Sequence, residues 1–425
     1  MSRLHGMPTA FDVRALAATV RIELDDTIDA AEREAIRSKW VDLLVDGVGT
    51  PELTIRGGVA PKPAETKAGG VKTITLRSAA ELGERLTSEI TLGGISELSG
   101  DALMLHASGI ALDDGRVIGF VGPSGRGKTT ASQALGRTHR YVTDETLAIR
   151  PDGTIVPYPK PLSIGSRPEP KQTTPASMLG LRPVLADDLS LAAIVLLDRR
   201  PDVEQPYVES VGLIDALRDL VPQTSYLAAL DRPLRTLARL VASTGGVRRV
   251  VYSEAETLPG LLDDILATEQ TDVPFLADVD AAYRRDCDCF AKFLPGAPIL
   301  TPDAEGVVVR PGSYQRSNQT DALMVDDHLV VLLKYDVFVL EGIGPIVWLA
   351  ADLLLEEELL DVVLRQLPEP PDGVDPAAAV SAALEQLVAA GLLFRRTGTS
   401  RLPEATAEPS EGADEQPGVV VAEQV

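Results

Sequence analysis

One octapeptide constrains this chain more than any other stretch. Gly122-Pro123-Ser124-Gly125-Arg126-Gly127-Lys128-Thr129 has the spacing of a phosphate-binding loop: Gly, four residues, Gly, Lys, Ser/Thr. The apolar run Val117-Ile118-Gly119-Phe120-Val121 before it reads as a buried strand, and Thr129 to Leu135 after it reads as the start of a helix. That context is what the motif needs. Glycines let the backbone fold back so that its N–H groups face an anion, and the helix N-terminus adds partial positive charge at the same point. Gly122 to Thr130, each residue included, are therefore expected to cradle the phosphates of ATP. Lys128 is expected at the β/γ-phosphates, and the Thr129 hydroxyl on Mg²⁺. The bland alternative, a Gly-rich surface turn with a stray lysine, does not require the strand and helix that flank the motif.

Composition narrows the classes around that loop. A chain of 425 residues suggests two or three domains, and 44% hydrophobic residues suffice for real cores. Aromatics make up only 4%, so the cores must be built mostly from Leu, Val, Ile and Ala. The net charge of −23 argues against a nucleic-acid partner, which needs a basic face. The two cysteines, Cys287 and Cys289, are too few for a disulfide framework or a four-cysteine zinc site and read as reduced thiols. Met1 to Pro8 has no signal-peptide core, and no stretch approaches the roughly 18 apolar residues of a membrane span. The expectation is a cytoplasmic protein with no membrane partner and an oligomeric state the sequence leaves open.

Hydrophobic periodicity divides the chain further. In residues 1–97, Thr19 to Leu24, Leu53 to Ile55 and Val71 to Leu76 read as strands, with a Pro/Gly/Lys-rich loop between the last two. Asp29 to Leu44 has helical spacing, and Ser78 caps a helix through Leu82, Leu86 and Ile90. Residues 98–272 carry the loop. A strand from Leu103 through Leu112 turns at Asp113-Asp114-Gly115 straight into the loop's own strand. After the loop come a strand Arg140 to Thr143, the acids Asp144-Glu145, a hairpin across Pro151-Asp152-Gly153, and a buried strand Leu191 to Leu197 ending at Asp198. Helical segments at Ile214 to Leu220 and Ser225 to Val241, a strand Val247 to Tyr252 and a helix Leu258 to Leu266 complete it. Residues 273–318, rich in Pro, Asp and Gly, read as a linker. In residues 319–396, strands Ala322 to Val325, Leu329 to Leu333 and Val337 to Leu340 precede helices Gly344 to Leu353, Glu357 to Arg365 and Pro376 to Leu392, the pattern of a winged helix-turn-helix. Residues 397–425, rich in Glu, Pro, Ala and Gly, read as a disordered tail.

The motif order in residues 103–266 resembles the HPr serine kinase family, including its kinase-like branch beside peptide-modifying systems. Four features carry the resemblance: His106 on the strand before the loop, the loop itself, the segment His139-Arg140-Tyr141-Val142-Thr143-Asp144-Glu145 ending in paired acids, and Val156-Pro157-Tyr158-Pro159-Lys160-Pro161-Leu162. It implies that Asp144 acts as general base on an acceptor serine, that Glu145 assists with metal or proton, and that His106 and Lys128 stand near the transferring phosphoryl. Asp198 reads as a further metal-side carboxylate at a strand end, or as an ordinary strand-ending Asp before Arg199-Arg200. Taken alone, His106 could be a satisfied core histidine and the Asp144-Glu145 pair a turn cap. The glycine-rich segment that follows the acids in true HPr kinases is missing, which argues against HPr as substrate.

Residues 319–396 resemble PqqD-like peptide-binding domains, also called RiPP recognition elements. Val337-Phe338-Val339-Leu340-Glu341-Gly342, the helix start with Trp348, and Leu387 to Phe394 carry that resemblance. It implies capture of a precursor peptide or small acceptor protein by strand addition. A DNA-binding winged helix is disfavoured because Pro376 to Gly391 contains no Lys or Arg. The fold expectation is therefore α/β: an HPr kinase-like phosphate-loop core, an N-terminal α/β subdomain and a C-terminal winged helix-turn-helix. The functional expectation is an ATP-dependent serine kinase-like enzyme. The alternative is a non-catalytic ATP-binding adaptor of a peptide-modification system.

Overall fold

The computed structural model describes residues 9–46, 49–123, 125–165, 172–184, 188–267, 276–279, 310–317, 319–351, 353–367, 370 and 373–397. Ser124, both cysteines and the tail expected to be disordered after residue 397 lie outside the described residues. The architecture is mixed α/β. It separates into two compact units: residues 1–231 with 236–271, and residues 272–425 with 232–235.

The first unit holds two sheets. The N-terminal one runs Leu44–Val45, Thr9–Ala15, Ala18–Leu24, Leu53–Val59, Val71–Leu76, Ala64–Ala68 in spatial order. The helix Ala79–Glu97 buries Leu82, Leu86 and Ile90 toward it. Its start is fixed by Ser78, whose side chain accepts the Glu81 N–H at 3.2 Å. The core under this helix continues without a break into Met104 and Ala148 of the second sheet and into Tyr158, which follows the strand Ile155–Val156. Burial of these apolar faces is the main stabilising term for both sheets.

Several elements differ from the sequence expectation, each for a local reason. The stretch expected as a loop between Ile55 and Val71 contains the strand Ala64–Ala68. All five of its residues are exposed, so no apolar alternation announced it; it exists because Gly69 and Gly70, at φ 59 and 80, turn the chain back onto Val71–Leu76. The helix expected to Leu44 ends at Ser38. Helix from Ser225 begins only at Pro233, because Tyr226 takes a left-handed φ of 54 and opens a single 3₁₀ turn. The helix expected over Leu258 to Leu266 starts as 3₁₀ turns around Pro259, which has no N–H to donate, and becomes α-helical at Leu262.

The second sheet is organised by one long strand, Leu103–Ala111. Its first half pairs with Thr146–Ile149, and its second half, from Ala107, pairs with the loop strand Arg116–Val121 and with Arg140–Thr143. Beyond the loop strand the order continues through Ser190–Arg199, Val247–Tyr252 and Tyr207–Val211. The first two of these run parallel to the loop strand and the last is antiparallel. The Asp113-Asp114-Gly115 hairpin forms as read, with Gly115 at φ 85. Gly109 and Gly119 face each other across it, and a Cβ on either would come within 2.9 and 2.6 Å of the Leu147 methyls. Those two glycines let the Thr146–Ile149 strand fold over the sheet, which brings the acids before it to the loop.

In the second unit, Leu276–Asp278, Asp321–Val325, His328–Leu333 and Asp336–Leu340 form an antiparallel sheet with Asp336–Leu340 at one edge. The turn at Asp326-Asp327 forms as read, with Asp326 at φ 53. Helices Gly344–Ala350, Glu356–Leu364 and Pro376–Ala389 pack in one core around Trp348, Leu359, Val380 and Leu384. Asp375 caps the last helix through Oδ1, 3.0 Å from the Ala377 N–H. Two short stretches of the expected linker are strands: Leu276–Asp278, and Tyr314–Arg316, which pairs with Leu393–Arg395.

Candidate functional site

The loop lies where a strand gives way to a helix. Gly125 and Gly127 take left-handed φ of 84 and 95, where a side chain would be strained. Gly127 is also tight, since a Cβ there would lie 3.0 Å from the Tyr252 hydroxyl. That hydroxyl donates to the Arg126 carbonyl at 3.2 Å and pins the loop from the neighbouring strand. The helix Lys128–Gly136 follows, with no acidic residue in its first turn to oppose an incoming anion. Its Lys128 side chain is buried, and the ammonium donates to the Gly122 carbonyl and, at 3.2 Å, to the Pro123 carbonyl. Burial pushes the Lys128 pKa down to about 8, with Asp144 pulling the other way.

The register of the long strand sets His106 beside the loop. Ala107 pairs with Val121, the residue before Gly122, so His106 stands at the level where the loop begins. On its other side Thr146 pairs with His106, which carries Asp144 and Glu145 to the same end of the sheet. The Glu145 carbonyl accepts the Ala107 N–H at 3.0 Å and the His106 Nδ1–H at 3.1 Å. A carbonyl can only accept, so Nδ1 carries the proton and Nε2 is left with its lone pair. Burial, then Lys128, then Lys160 drive the His106 pKa down to about 4, so the imidazole is neutral at pH 7.

Asp144 is 7% exposed, and each of its oxygens accepts a hydrogen bond. Its Oδ2 accepts the Thr129 hydroxyl at 3.2 Å, and its Oδ1 accepts the buried Tyr141 hydroxyl at 3.1 Å. Burial raises its pKa, opposed by Lys160, Tyr141 and Thr129. The structure thus brings Lys128, Thr129, Asp144, Glu145 and His106 together. Asp198 has a different partner: its Oδ2 accepts Arg200 Nε at 2.9 Å and Nη2 at 2.7 Å.

Two neighbours carried no role in the sequence reading. Lys160, 5% exposed, forms an ion pair with Glu145. Its carbonyl accepts the Tyr141 hydroxyl at 2.9 Å. A run of hydrogen bonds therefore ties Lys160 to the loop through Tyr141, Asp144 and Thr129. Only the Tyr-Pro-Lys-Pro setting of Lys160 hinted at a fixed backbone; nothing in the sequence placed it beside Glu145.

The group implied for this site is Mg²⁺. Among the described residues no cluster of three or more His, Cys, Asp or Glu could hold a metal ion. Magnesium bound with phosphates needs less, since one or two protein oxygens suffice. A hydroxyl and a carboxylate oxygen 3.2 Å apart, Thr129 and Asp144, fit that requirement.

No protein-family model matches the chain, so the expected peptide-binding family has no support there, and no curated protein matches it either. Among solved structures it is similar to the HPr(Ser) kinase/phosphatase from Coxiella burnetii, at 14% identity and a TM-score of 0.23, over 38% of this chain and 93% of that one. A likeness of that size fixes neither fold nor activity. Among the described residues no helix is long and apolar enough to cross a membrane.

Proposed function

We propose that the chain is an ATP-dependent phosphotransferase of the serine-kinase type, acting on a hydroxyl of a peptide or small protein. The observation that carries this reading is the Thr129–Asp144 contact at 3.2 Å beside Lys128. It puts a carboxylate, a metal-binding hydroxyl and an ammonium at one helix N-terminus. In the reaction the acceptor oxygen bonds to the γ-phosphorus as the bond to the β,γ-bridging oxygen breaks, and ADP leaves. The acceptor proton passes to the Asp144 carboxylate, whose raised pKa suits it to take one. Lys128 leaves its two carbonyls for the β/γ-oxygens, and the loop N–H groups hold the phosphates. Thr129 with Asp144 would hold Mg²⁺, which supplies charge neutralisation at the β/γ-oxygens.

For acceptor capture we propose the second unit. Its edge strand Asp336–Leu340 is half-exposed over Asp336 to Val339, which supports pairing with an extended precursor peptide. A tethered acceptor needs only a weak site near the phosphate.

The second reading is a nucleotide-binding adaptor that transfers nothing. The engagement of both Asp144 oxygens, by Thr129 and Tyr141, favours it. Labelled ATP separates the two. With γ-labelled ATP, Mg²⁺ and short seryl peptides, label is expected on the peptide. Asp144→Asn is expected to slow transfer by about 10³-fold while ATP still binds. Binding without transfer, unaffected by Asp144→Asn, would leave the adaptor. Titrating Mg²⁺ in the same variant checks both roles: Asp144→Asn is expected to slow transfer and to weaken Mg²⁺, whereas a slower rate with unchanged Mg²⁺ dependence would leave Asp144 the base alone.

A further inference from the structure

We propose that Lys160 is a second phosphate-binding cation of this site, specific for the γ-phosphoryl group and held in place by Glu145 until ATP arrives. The inference rests on the nucleotide-binding reading above and assigns a residue to it.

Three observations converge on Lys160. The first is its place. The Tyr141 hydroxyl joins the Lys160 carbonyl, at 2.9 Å, to Asp144, at 3.1 Å, and Asp144 joins Thr129 of the loop helix at 3.2 Å. The Lys160 backbone is thereby fixed relative to the phosphate loop through Tyr141 and Asp144, which are buried, and Thr129, which is partly so. The second is its surroundings. Glu145, which pairs with Lys160, also accepts the His106 Nδ1–H through its carbonyl at 3.1 Å, and the Lys160 charge acts on both His106 and Asp144. The third is its counter-ion. Lys160 is 5% exposed, yet Glu145, with which it pairs, keeps 35% of its side chain exposed. One partner of the pair is locked inside and the other can swing away.

Removing the counter-ion of a buried ammonium is costly unless another group compensates the charge. Glu145 is such a counter-ion in the nucleotide-free chain. A γ-phosphate seated on Lys128 brings oxygens carrying greater negative charge to the same pocket. Lys160 can exchange the carboxylate for a phosphate oxygen without losing a negative partner, and Glu145, about a third of whose side chain is exposed, can turn toward solvent. No covalent bond changes in this step; one ion pair replaces another. Because Lys128 serves the β- and γ-oxygens together, the site then reads the γ group separately through Lys160. It distinguishes ATP from ADP by charge.

Equilibrium binding of ATP and ADP in EDTA, by calorimetry on the full chain, tests this without metal or turnover. Wild type is expected to bind both. Lys160→Met is expected to weaken ATP by about tenfold or more and ADP by less than about twofold. Lys128→Met weakens both nucleotides. Lys160→Arg keeps the charge and is expected to restore most of the preference. Glu145→Gln removes the competing carboxylate and should tighten ATP relative to ADP, whereas a purely structural ion pair would, when cut, weaken both. An unchanged ATP-to-ADP ratio in Lys160→Met, or an equal loss of both nucleotides in Lys160→Met and Glu145→Gln, overturns the assignment while leaving nucleotide binding intact. Wild type that binds neither nucleotide takes down the functional reading itself.

Discussion

The two sheets of the first unit share a core but use charge in opposite ways. In the N-terminal sheet the ion pairs of Arg21, Arg56 and Glu89 each keep at least one partner partly in solvent. They join neighbouring strands, a strand and the helix, or successive turns of the helix, with Glu89 the one buried charge among them. Arg21 and Asp12 are 2.8 Å apart, Arg56 and Glu23 2.7 Å, and Glu89 forms ion pairs with both Lys72 and Arg85. At the loop end of the second sheet, Lys128, Asp144 and Lys160 are each less than a tenth exposed. Lys128 meets two backbone carbonyls, Asp144 the hydroxyls of Thr129 and Tyr141, and Lys160 the carboxylate of Glu145. Burying charge costs several kcal/mol per ion before any compensation, so such a cluster is a poor way to hold a sheet together and a good way to hold an anion. The comparison teaches which sheet is scaffold and which is site, although both are built from the same apolar stock.

The largest effect that could break this contrast is at Lys128. Lys128→Ala is expected to reduce ATP affinity by about 100-fold or more, on the order of 3 kcal/mol, since a charge-assisted contact in a dry site is lost. The same change should leave the fold as stable or more so, because a desolvated buried charge goes with it. Chemical denaturation beside calorimetric binding checks both halves. If Lys128→Ala unfolds the chain and leaves binding untouched, the site has been assigned to the wrong sheet.

The pH dependence of the nucleotide-free chain sharpens the same point. Lys128 has a folded pKa of about 8, below its usual 10.5. Between those values the unfolded chain holds the proton more often than the folded one, so stability rises with pH across that window. Below about 8 both forms are protonated and the penalty is present in full. Denaturant midpoints are therefore expected to climb from pH 8 toward pH 10 in wild type relative to Lys128→Met, in which this contribution vanishes. Equal slopes in the two proteins would mean that the ammonium is not desolvated.

The sequence made some of this visible and hid the rest for physical reasons. The loop, its strand, the Asp113-Asp114-Gly115 hairpin and the Ser78 cap were legible because glycine spacing, apolar runs and capping chemistry are local signals. The Thr9–Ala15, Ala64–Ala68 and Tyr207–Val211 strands were not. Ala64–Ala68 is exposed throughout and is held by its neighbour rather than by a buried face. Asp144, Glu145 and His106 could be placed together only through a family resemblance; what unites them physically is the register of Leu103–Ala111 with two different partners. Lys160 and Tyr141 were invisible as site residues, because their meeting depends on the chain returning past Val142 after the Asp152 hairpin, where the Tyr158 N–H donates to the Val142 carbonyl at 3.2 Å.

The junction between the two sheets gives the smaller effects. The Thr91 hydroxyl, on the N-terminal helix, and the Tyr158 hydroxyl, two residues before Lys160, lie 2.9 Å apart and are both buried. Thr91→Val keeps the shape of the side chain but strands the tyrosine hydroxyl, an expected loss of about 1–2 kcal/mol in denaturation. The ATP-to-ADP preference should hold, because the Tyr141 hydroxyl on the Lys160 carbonyl and the Tyr158 carbonyl on the Lys160 N–H are both left in place by Thr91→Val. A loss of that preference would make the N-terminal helix part of the site. Arg56→Ala sets the lower bound. Half its side chain is exposed and its partner Glu23 stays partly in solvent, so the pair should contribute less than about 1 kcal/mol, fading with added salt. If Arg56→Ala cost as much as Thr91→Val, surface pairing would be holding the N-terminal sheet together after all. The contrast between a scaffold stabilised by its apolar core and a site defined by buried charge would then have to be redrawn.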